Sequence, residues 1–399
     1  MGSVAGIVIL TMSVTGACLA FEKQILAWAD HMQQISQAVG THSSSDPRLP
    51  MDALAANAQQ VLEASPSNVT VHSDTSAPVE FGLGRDRTIF VNPYNGAVLG
   101  EGSRGARTFF SQMENVHRWL GLQAERRNTG RAITGACNLA FFFLVLSGPF
   151  LWWPKSWNWA NLRKIVLLRR NISGRAMFWN WHHVAGIWLV IPLFFIVASG
   201  VVMSYPWANN LLYRMTGNEP PVPQQISGGQ RSGRNQQAGN NLESFRHSHH
   251  DRGAEGNNLP LGPPSLDNLF TRAEQQVSGW KSITLRITDS SRAPYSFSID
   301  RGNGGRPDLR AQLVLDRRTG ALLRWEPYSS YNMGRRLRIW ARFTHTGEAG
   351  GWMGESIAFL AAAGASLLVL SGLSLSWIRL RRWRARENHL KKPLEEIAA

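Results

Sequence analysis

The stretch Phe178–Tyr205, FWNWHHVAGIWLVIPLFFIVASGVVMSY, narrows the possible folds more than any other. From Val184 to Met203 it runs 20 residues without a charge. At about 1.5 Å of rise per residue, a helix of that length crosses a bilayer. Paired histidines, His182 and His183, stand at its start beside Trp179 and Trp181. A polar ring at the rim of a membrane helix is costly without a partner, so these residues invite a functional reading. Pro192 is tolerable inside such a helix where neighbours cover the freed backbone.

Three more apolar runs have similar length: Gly2–Phe21, Ala132–Trp153 and Ile357–Ile378. The mean hydropathy of −0.20 looks soluble only because it averages these runs with very polar stretches. The sequence therefore predicts a membrane protein with four transmembrane helices. Gly2–Phe21 lacks a basic flank before it and is long for a signal peptide, so it reads as a retained first span. The two cysteines, Cys18 and Cys137, both lie in apolar runs and form neither a disulfide framework nor a zinc motif.

The net charge of +15 is unevenly placed. Six Lys and Arg fall between the second and third runs, and seven fall in Arg379–Lys392, just after the fourth. Such clusters beside spans mark cytoplasmic flanks. They abut membrane helices instead of building a folded basic face, which argues against a nucleic-acid partner. The lipid bilayer is the first partner implied. With the basic segments inside, the polar stretches after the first and third runs lie outside. In a Gram-negative cell that means an inner-membrane protein with periplasmic domains.

Those polar stretches share one layout. Asp52–Ala64 has helical spacing at Leu54, Ala58, Val61 and Leu62. Strand-like segments follow at Val69–Val71, Val79–Leu83 and Thr88–Val91, and an Asn-Gly turn leads into Ala97–Leu99. Later, Ser265–Val277 reads as a helix. Ser282–Ile287, Tyr295–Ile299, Ala311–Leu315 and Ala321–Arg324 read as strands. FVNPYNGAVLG and VLDRRTGALLR match in layout, and Ser/Thr–Gly pairs recur late in the spans at Thr15–Gly16, Ser199–Gly200, Ser147–Gly148 and Ser371–Gly372. The reading is an internal duplication: span, small α+β domain, histidine-bearing lead-in and span, twice over. The segments are 1–23, first span; 24–116, first domain; 117–154, lead-in and second span; 155–177, basic cytoplasmic loop; 178–205, third span. They continue as 206–264, a connection in which Pro220–Pro264, dominated by Pro, Gly, Asn, Gln and Arg, suits a disordered linker; 265–335, second domain; 336–380, lead-in and fourth span; and 381–399, basic tail. His247, His249 and His250 in the linker read as a solvated cluster.

HRWLG at His117–Gly121, WHHVAG at Trp181–Gly186, HTGEAGG at His345–Gly351 and the two strand–turn–strand units together resemble the PepSY-associated transmembrane proteins of bacterial inner membranes. The resemblance covers nearly the whole chain outside the linker. It implies four spans with two periplasmic α+β PepSY-like domains. Characterised members of the family are similar to haem-containing ferric-siderophore reductases, so it also implies one or two b-type haems. The chain would act as an electron carrier reducing a ferric siderophore or other Fe(III) chelate. A cytoplasmic flavin reductase or a quinol would donate, since no Gly-rich dinucleotide motif follows a strand here.

Neutral imidazole nitrogen suits iron, and facing helices can offer ligands from either side of a macrocycle. His117, His182 and His345 are the candidate ligands. His117 and His345 pair on the periplasmic side, and His182 lies at the cytoplasmic rim. H-x-x-x-G at His117–Gly121 and His182–Gly186 predicts a small residue one turn along the same helix face. His183 points about 100° away from His182 and is not the second ligand. The resemblance implies a further histidine at the start of the first span. Aligning Thr15–Gly16 with Ser199–Gly200 puts its position ahead of Met1. The alternative function is a non-enzymatic membrane adaptor or sensor that binds peptidases through the PepSY-like domains. An intramembrane protease is disfavoured, because the chain has no HExxH.

Overall fold

The computed structural model describes residues 2–32, 46–84, 86–152, 171–221, 264–288 and 293–398, with scattered positions between 153 and 170. About a third of the basic loop and nearly all of Pro220–Pro264, with its three histidines, lie outside the described residues. Both cysteines are free.

Helix α1 (Gly2–Leu19) bends by 45° into α2 (Glu22–Met32). Helix α3 (Met51–Leu62) and strands β1 (Asn68–His72), β2 (Val79–Leu83), β3 (Arg87–Val91) and β4 (Val98–Glu101) follow. Helix α4 (Arg104–Trp119) leads to α5 (Arg127–Trp152), and then come α6 (Gly174–Ser204) and α7 (Pro206–Met215). The second half adds α8 (Leu266–Gln276), β5 (Ser282–Arg286), β6 (Tyr295–Asp300), β7 (Arg310–Leu315) and β8 (Leu322–Pro327). It ends with α9 (Met333–Thr346) and α10 (Gly351–Ala398).

Three helical segments, Ala124–Leu151, Gly174–Ser204 and Glu348–Ala385, are long and apolar enough to cross a membrane, and the bent α1–α2 pair makes up to four. The chain is a multi-pass membrane protein by this measure. Lipid offers no hydrophobic drive between helices, so close packing must come from small residues. Ala361, Ala365 and Leu368 of α10 are buried against Val145 of α5 and Leu193 of α6. Gly364 lets α10 meet Leu189 at a distance no Cβ would permit.

The two predicted soluble domains are not separate. Their strands join in one eight-stranded antiparallel sheet, ordered β4-β3-β2-β1-β5-β6-β7-β8. The seam is β1 against β5, paired from Asn68↔Arg286 to His72↔Ser282, with Thr70 and Thr284 bonded across it at 3.0 Å. Alternation sends Val69, Phe81, Ile89, Ile283, Phe297 and Leu313 to one face, where α3 and α8 cover them in a single core. Helix α3 buries Leu54, Ala58 and Leu62 but leaves Val61 exposed. Two halves that each place only four strands gain a wide, continuous core by sharing it. The matching turns behave alike. Asn92 and Asp316 each accept backbone N–H groups from the next residues of their turns, and Gly96 and Gly320 close them at φ +71° and +65°. Both sheet edges then carry a bulge at the equivalent place, Phe90/Val91 and Val314/Leu315.

Helices α4 and α9 tie the sheet to the bundle. Arg107 of α4 holds Asp30 of α2 with two bonds, at 2.8 and 2.6 Å. Lys23 of α2 pairs with Glu348 before α10, and Gln24 bonds Glu355. Arg335 of α9 grips Glu326 of β8 at 2.9 Å. At this end of the bundle Arg131 of α5 reaches the last carbonyls of α6. The ends of α1, α6 and the starts of α5 and α10 therefore all meet beneath the sheet.

Candidate functional site

His117 sits in the last turn of α4, not at the head of the span that follows. The helix stops because Leu120 and Gly121 take left-handed backbone, at φ +54° and +75°. Gly121 thus lies past the helix end, which corrects the expectation that it shares a face with His117. The helix end is clamped to α5: Thr134 Oγ1 donates to Arg118 O at 3.1 Å, and a Cβ on Gly130 would collide with Trp119 O. Arg118 and Arg127 flank the Trp119 ring at 4.6 and 5.0 Å.

His345 occupies the corresponding last turn of α9. Gly347, at φ +78°, ends that helix, and the backbone then packs so closely on Gly354 of α10 that neither glycine could carry a Cβ. Two helix ends, each fixed by a glycine against the next span, thus deliver one imidazole apiece to the middle of the bundle's sheet-side end. The ring centres of His117 and His345 are 6.3 Å apart, with the planes at 62°. His182 is elsewhere. It lies seventeen residues before Ser199 on α6, which is about 25 Å of helix rise.

All three histidines share one device. His117 Nδ1 bonds Thr15 Oγ1 at 3.0 Å. His345 Nδ1 donates to Ile196 O at 2.8 Å and lies 3.2 Å from Ser199 Oγ. His182 Nδ1 donates to Leu368 O at 3.1 Å and lies 3.0 Å from Ser371 Oγ. Each hydroxyl donates back into its own helix: Thr15 to Thr11 O at 2.7 Å, Ser199 to Ile196 O at 2.8 Å, Ser371 to Leu367 O at 2.8 Å. With its proton so used, the hydroxyl oxygen accepts from the imidazole. Nδ1 must then carry the hydrogen, and Nε2 keeps a bare lone pair. Burial, with His345 close by, pushes His117 down to about 4, and burial lowers His345 as well. Both rings are neutral at neutral pH.

Thr15, Ser199 and Ser371 are the functional residues that motif reading passed over. They are the first members of the recurring Ser/Thr–Gly pairs, which were visible as markers of repetition only. The glycines matter in two of the three cases. A Cβ on Gly16 would stand 3.3 Å from His117 Cε1, and one on Gly372 would stand 3.6 Å from His182 Cε1. Gly200 instead clears room for Asn138, whose amide donates to Val197 O at 3.1 Å. In the fourth pair, Ser147 makes only its bond back to Leu144 O among the described residues.

His183 is turned toward its own helix. Its Nδ1 donates to Trp179 O at 2.8 Å and its ring stacks on Trp179 at 3.8 Å. Its ring centre is also 6.3 Å from that of His182, so separation alone does not mark a ligand pair. What sets His117 and His345 apart is that they converge from two elements, each with Nδ1 engaged on a third.

The chemistry open to this pair is limited and informative. Two imidazoles that share one metal ion through bonds of about 2 Å place their ring centres roughly 6 Å apart. No group of three His, Cys, Asp or Glu suited to a metal ion occurs among the described residues. Two imidazoles without further protein ligands would suit an iron held mainly by a macrocycle, with His117 and His345 as the residues that would hold it. Helix α9 carries positive charge ahead of His345. Arg338 and Arg342 lie two turns and one turn before His345 on α9, and burial lowers both. Arg338 also has a buried guanidinium nitrogen without an acceptor among the described residues.

Residues 1–379 match the family described as the PepSY-associated TM region, and the chain belongs to that family. No curated protein matches the chain.

Proposed function

We propose that the chain is a bacterial inner-membrane electron carrier that holds a b-type haem between His117 and His345 and reduces an Fe(III) chelate on the periplasmic side. One observation carries the reading: two neutral imidazoles converge at 6.3 Å with each Nδ1 anchored and each Nε2 uncommitted. Anchoring of the far nitrogen fixes ring orientation and raises ligand basicity. When bound, haem supplies a reversible one-electron carrier, taking one electron from a donor and passing it to the external ferric iron, which becomes ferrous. The chain's own part is to hold, orient and shield. Thr15 and Ser199 fix the two rings, the helices exclude water, and Arg338 and Arg342 offer charge for the carboxylates of the cofactor.

His182, anchored by Ser371 near the opposite end, marks a second haem position for entry of electrons from a cytoplasmic flavin reductase or from quinol. Ferrous iron is held less tightly than ferric by hard oxygen donors, so reduction releases it from a siderophore. The basic residues of the loop and tail support an orientation with both termini inside and the sheet in the periplasm. The like construction of the two halves supports an internal duplication.

The test is an absorption spectrum of the purified protein, oxidised and then reduced with dithionite. Sharp bands typical of a six-coordinate b-type haem are expected. A colourless protein that still folds would sink this reading and favour an adaptor or sensor built on the sheet.

A further inference from the structure

Beneath the outer strands of the second half lies a cleft of about 500 Å³, a size that accommodates a small-molecule ligand. It is bounded by the ends of β6, β7 and β8, the turn after β8, and the first turn of α9. Its walls carry Trp325 and Tyr328, and its charges are Arg301, Arg310, Arg336 and Asp308. Two of those charges are already spent. Arg310 donates to Asp300 at 2.9 Å, and Asp308 is taken by Arg306 at 2.9 and 2.5 Å. Arg301 and Arg336 remain, with no carboxylate in ion-pair contact among the described residues. Arg336 donates to Ser329 O at 2.7 Å and lies over the Tyr328 ring at 5.2 Å. Its Nε is buried and has no acceptor.

Two arginines without an ion-pair contact, Arg301 exposed at the cleft and Arg336 half-buried in it, stand beside two aromatic walls, and that combination suits an anionic, ring-bearing occupant. We propose that this cleft is the docking site for the iron chelate and that it selects anionic chelates whose donor oxygens sit on aromatic rings. The oxygens meet Arg301 and Arg336, and the rings lie against Trp325 and Tyr328. This rests on the electron-carrier reading. Helix α9 makes the link, since Arg336 is in its first turn and His345 in its last, about 13 Å of rise apart. Bound iron would then sit within short reach of the paired imidazoles.

Gallium(III) replaces iron(III) without being reduced, so binding can be measured apart from electron transfer. The probes are the anionic gallium complex of 2,3-dihydroxybenzoate and the neutral gallium complex of acetohydroxamate. Each is dialysed to equilibrium against the full chain in phosphatidylcholine nanodiscs. Saturable binding of the catecholate complex is expected, weakened about tenfold or more in Arg301→Gln and in Arg336→Gln. Ser278→Trp, which plugs the mouth and keeps the charges, should also lose it. Arg318→Gln, at the far end of β7, should bind as the parent does. Melting temperatures of all variants identify any that fail to fold. Absence of saturable binding, equal affinity for the neutral complex, or parental affinity in folded Arg301→Gln and Ser278→Trp overturns the proposal. The two readings separate cleanly. A haem-loaded chain that does not bind the catecholate complex loses the cleft and keeps the carrier. A colourless chain that binds it loses the carrier.

Discussion

The two ends of the membrane bundle use the same anchoring chemistry and reach different results. At the sheet-side end, α4 and α9 each stop at a left-handed residue and present a histidine, and the two rings meet. At the far end, His182 rides inside the long helix α6 and leans on Ser371 with no histidine from another helix beside it among the described residues. The difference lies in how the imidazole is delivered. A side chain on a separate short helix can be placed by packing that helix over the bundle mouth. A side chain within a span is confined to its own helix's face. The sheet explains why the first mode exists only at one end. Because both halves share one core, α4 and α9 descend from the two edges of a single rigid body and converge. Disturbing one half should therefore disturb the pair, while the far end stands apart.

The largest effect should come from the proposed ligands. His345→Ala or His117→Ala should abolish stable haem binding at the sheet-side end, with reduced-minus-oxidised absorbance falling severalfold per polypeptide. His182→Ala should leave that signal intact and remove at most a separate component. Equal losses from His182→Ala and His345→Ala would mean that the two ends do not act as distinct sites.

The next effect tests the shared anchor. Ser199→Ala and Thr15→Ala remove the hydroxyl beside Nδ1, which for comparable outer partners costs about 10–100-fold in metal affinity. The two should cost about the same, because each ring keeps a backbone carbonyl, Ile196 O for His345 and Met12 O for His117. Ser371→Ala should not change haem retention at the sheet-side end. Haem transfer to apomyoglobin reports these differences as rates of loss.

Acid should act on the same end. His117 is held near 4 by burial, whereas the unfolded ring titrates near 6.5. Between those values the unfolded chain binds the extra proton, so this group's contribution is present above pH 6.5 and is lost as pH falls toward 4. From pH 7 to pH 5 the loss is about 2 kcal/mol. Melting of cofactor-free protein across that range should show it, and His117→Asn should flatten the dependence. A parent and variant with parallel pH profiles would place the acid sensitivity elsewhere.

The legibility of this molecule differs between its parts for physical reasons. A run of about 20 uncharged residues reads as a bilayer crossing, so three spans were plain, while the first, Gly2–Phe21, is part of a helix pair bent by 45°. Period-two alternation and the Asn92–Gly96 and Asp316–Gly320 turns placed seven strands within a residue or two, and the eighth, expected to end at Arg324, runs on to Pro327. The seam was invisible, because Asn68–His72 and Ser282–Arg286 carry no mark of a partner more than 200 residues away. Helices α4 and α9 were also missed as helices. Both are studded with Arg and bury few side chains, chiefly Phe110 and Trp119 in one and Phe343 in the other. Each does have an apolar face, but its few large residues stand among so many Arg that no stripe was evident in the sequence. The histidines were legible as singular residues at span boundaries. The role of Thr15, Ser199 and Ser371 was not, since a hydroxyl inside an apolar run bonds back to its own helix in most settings and only the facing imidazole shows otherwise.

The smallest effect gives the sharpest contrast between the ends. Gly16 and Gly372 are both the second member of a Ser/Thr–Gly pair and both face a histidine Cε1, yet the spacing differs. A Cβ at Gly16 falls 3.3 Å from the His117 ring, tight enough that the ring must yield by a few tenths of an ångström; at Gly372 the distance to His182 is 3.6 Å, an ordinary contact. Alanine in place of glycine within a helix is otherwise favourable by about 0.5–1 kcal/mol. Gly372→Ala should therefore be stabilising or neutral and leave every spectrum unchanged. Gly16→Ala should gain the same helix term while shifting His117 against its partner, so that melting improves or holds even as haem leaves severalfold faster. Stability and ligation would then move in opposite directions at one end, whereas at the other only stability could change. If Gly16→Ala instead retains haem as the parent does, the His117 ring has slack to absorb the methyl, and its position is set by α4 alone and not by its fit against α1.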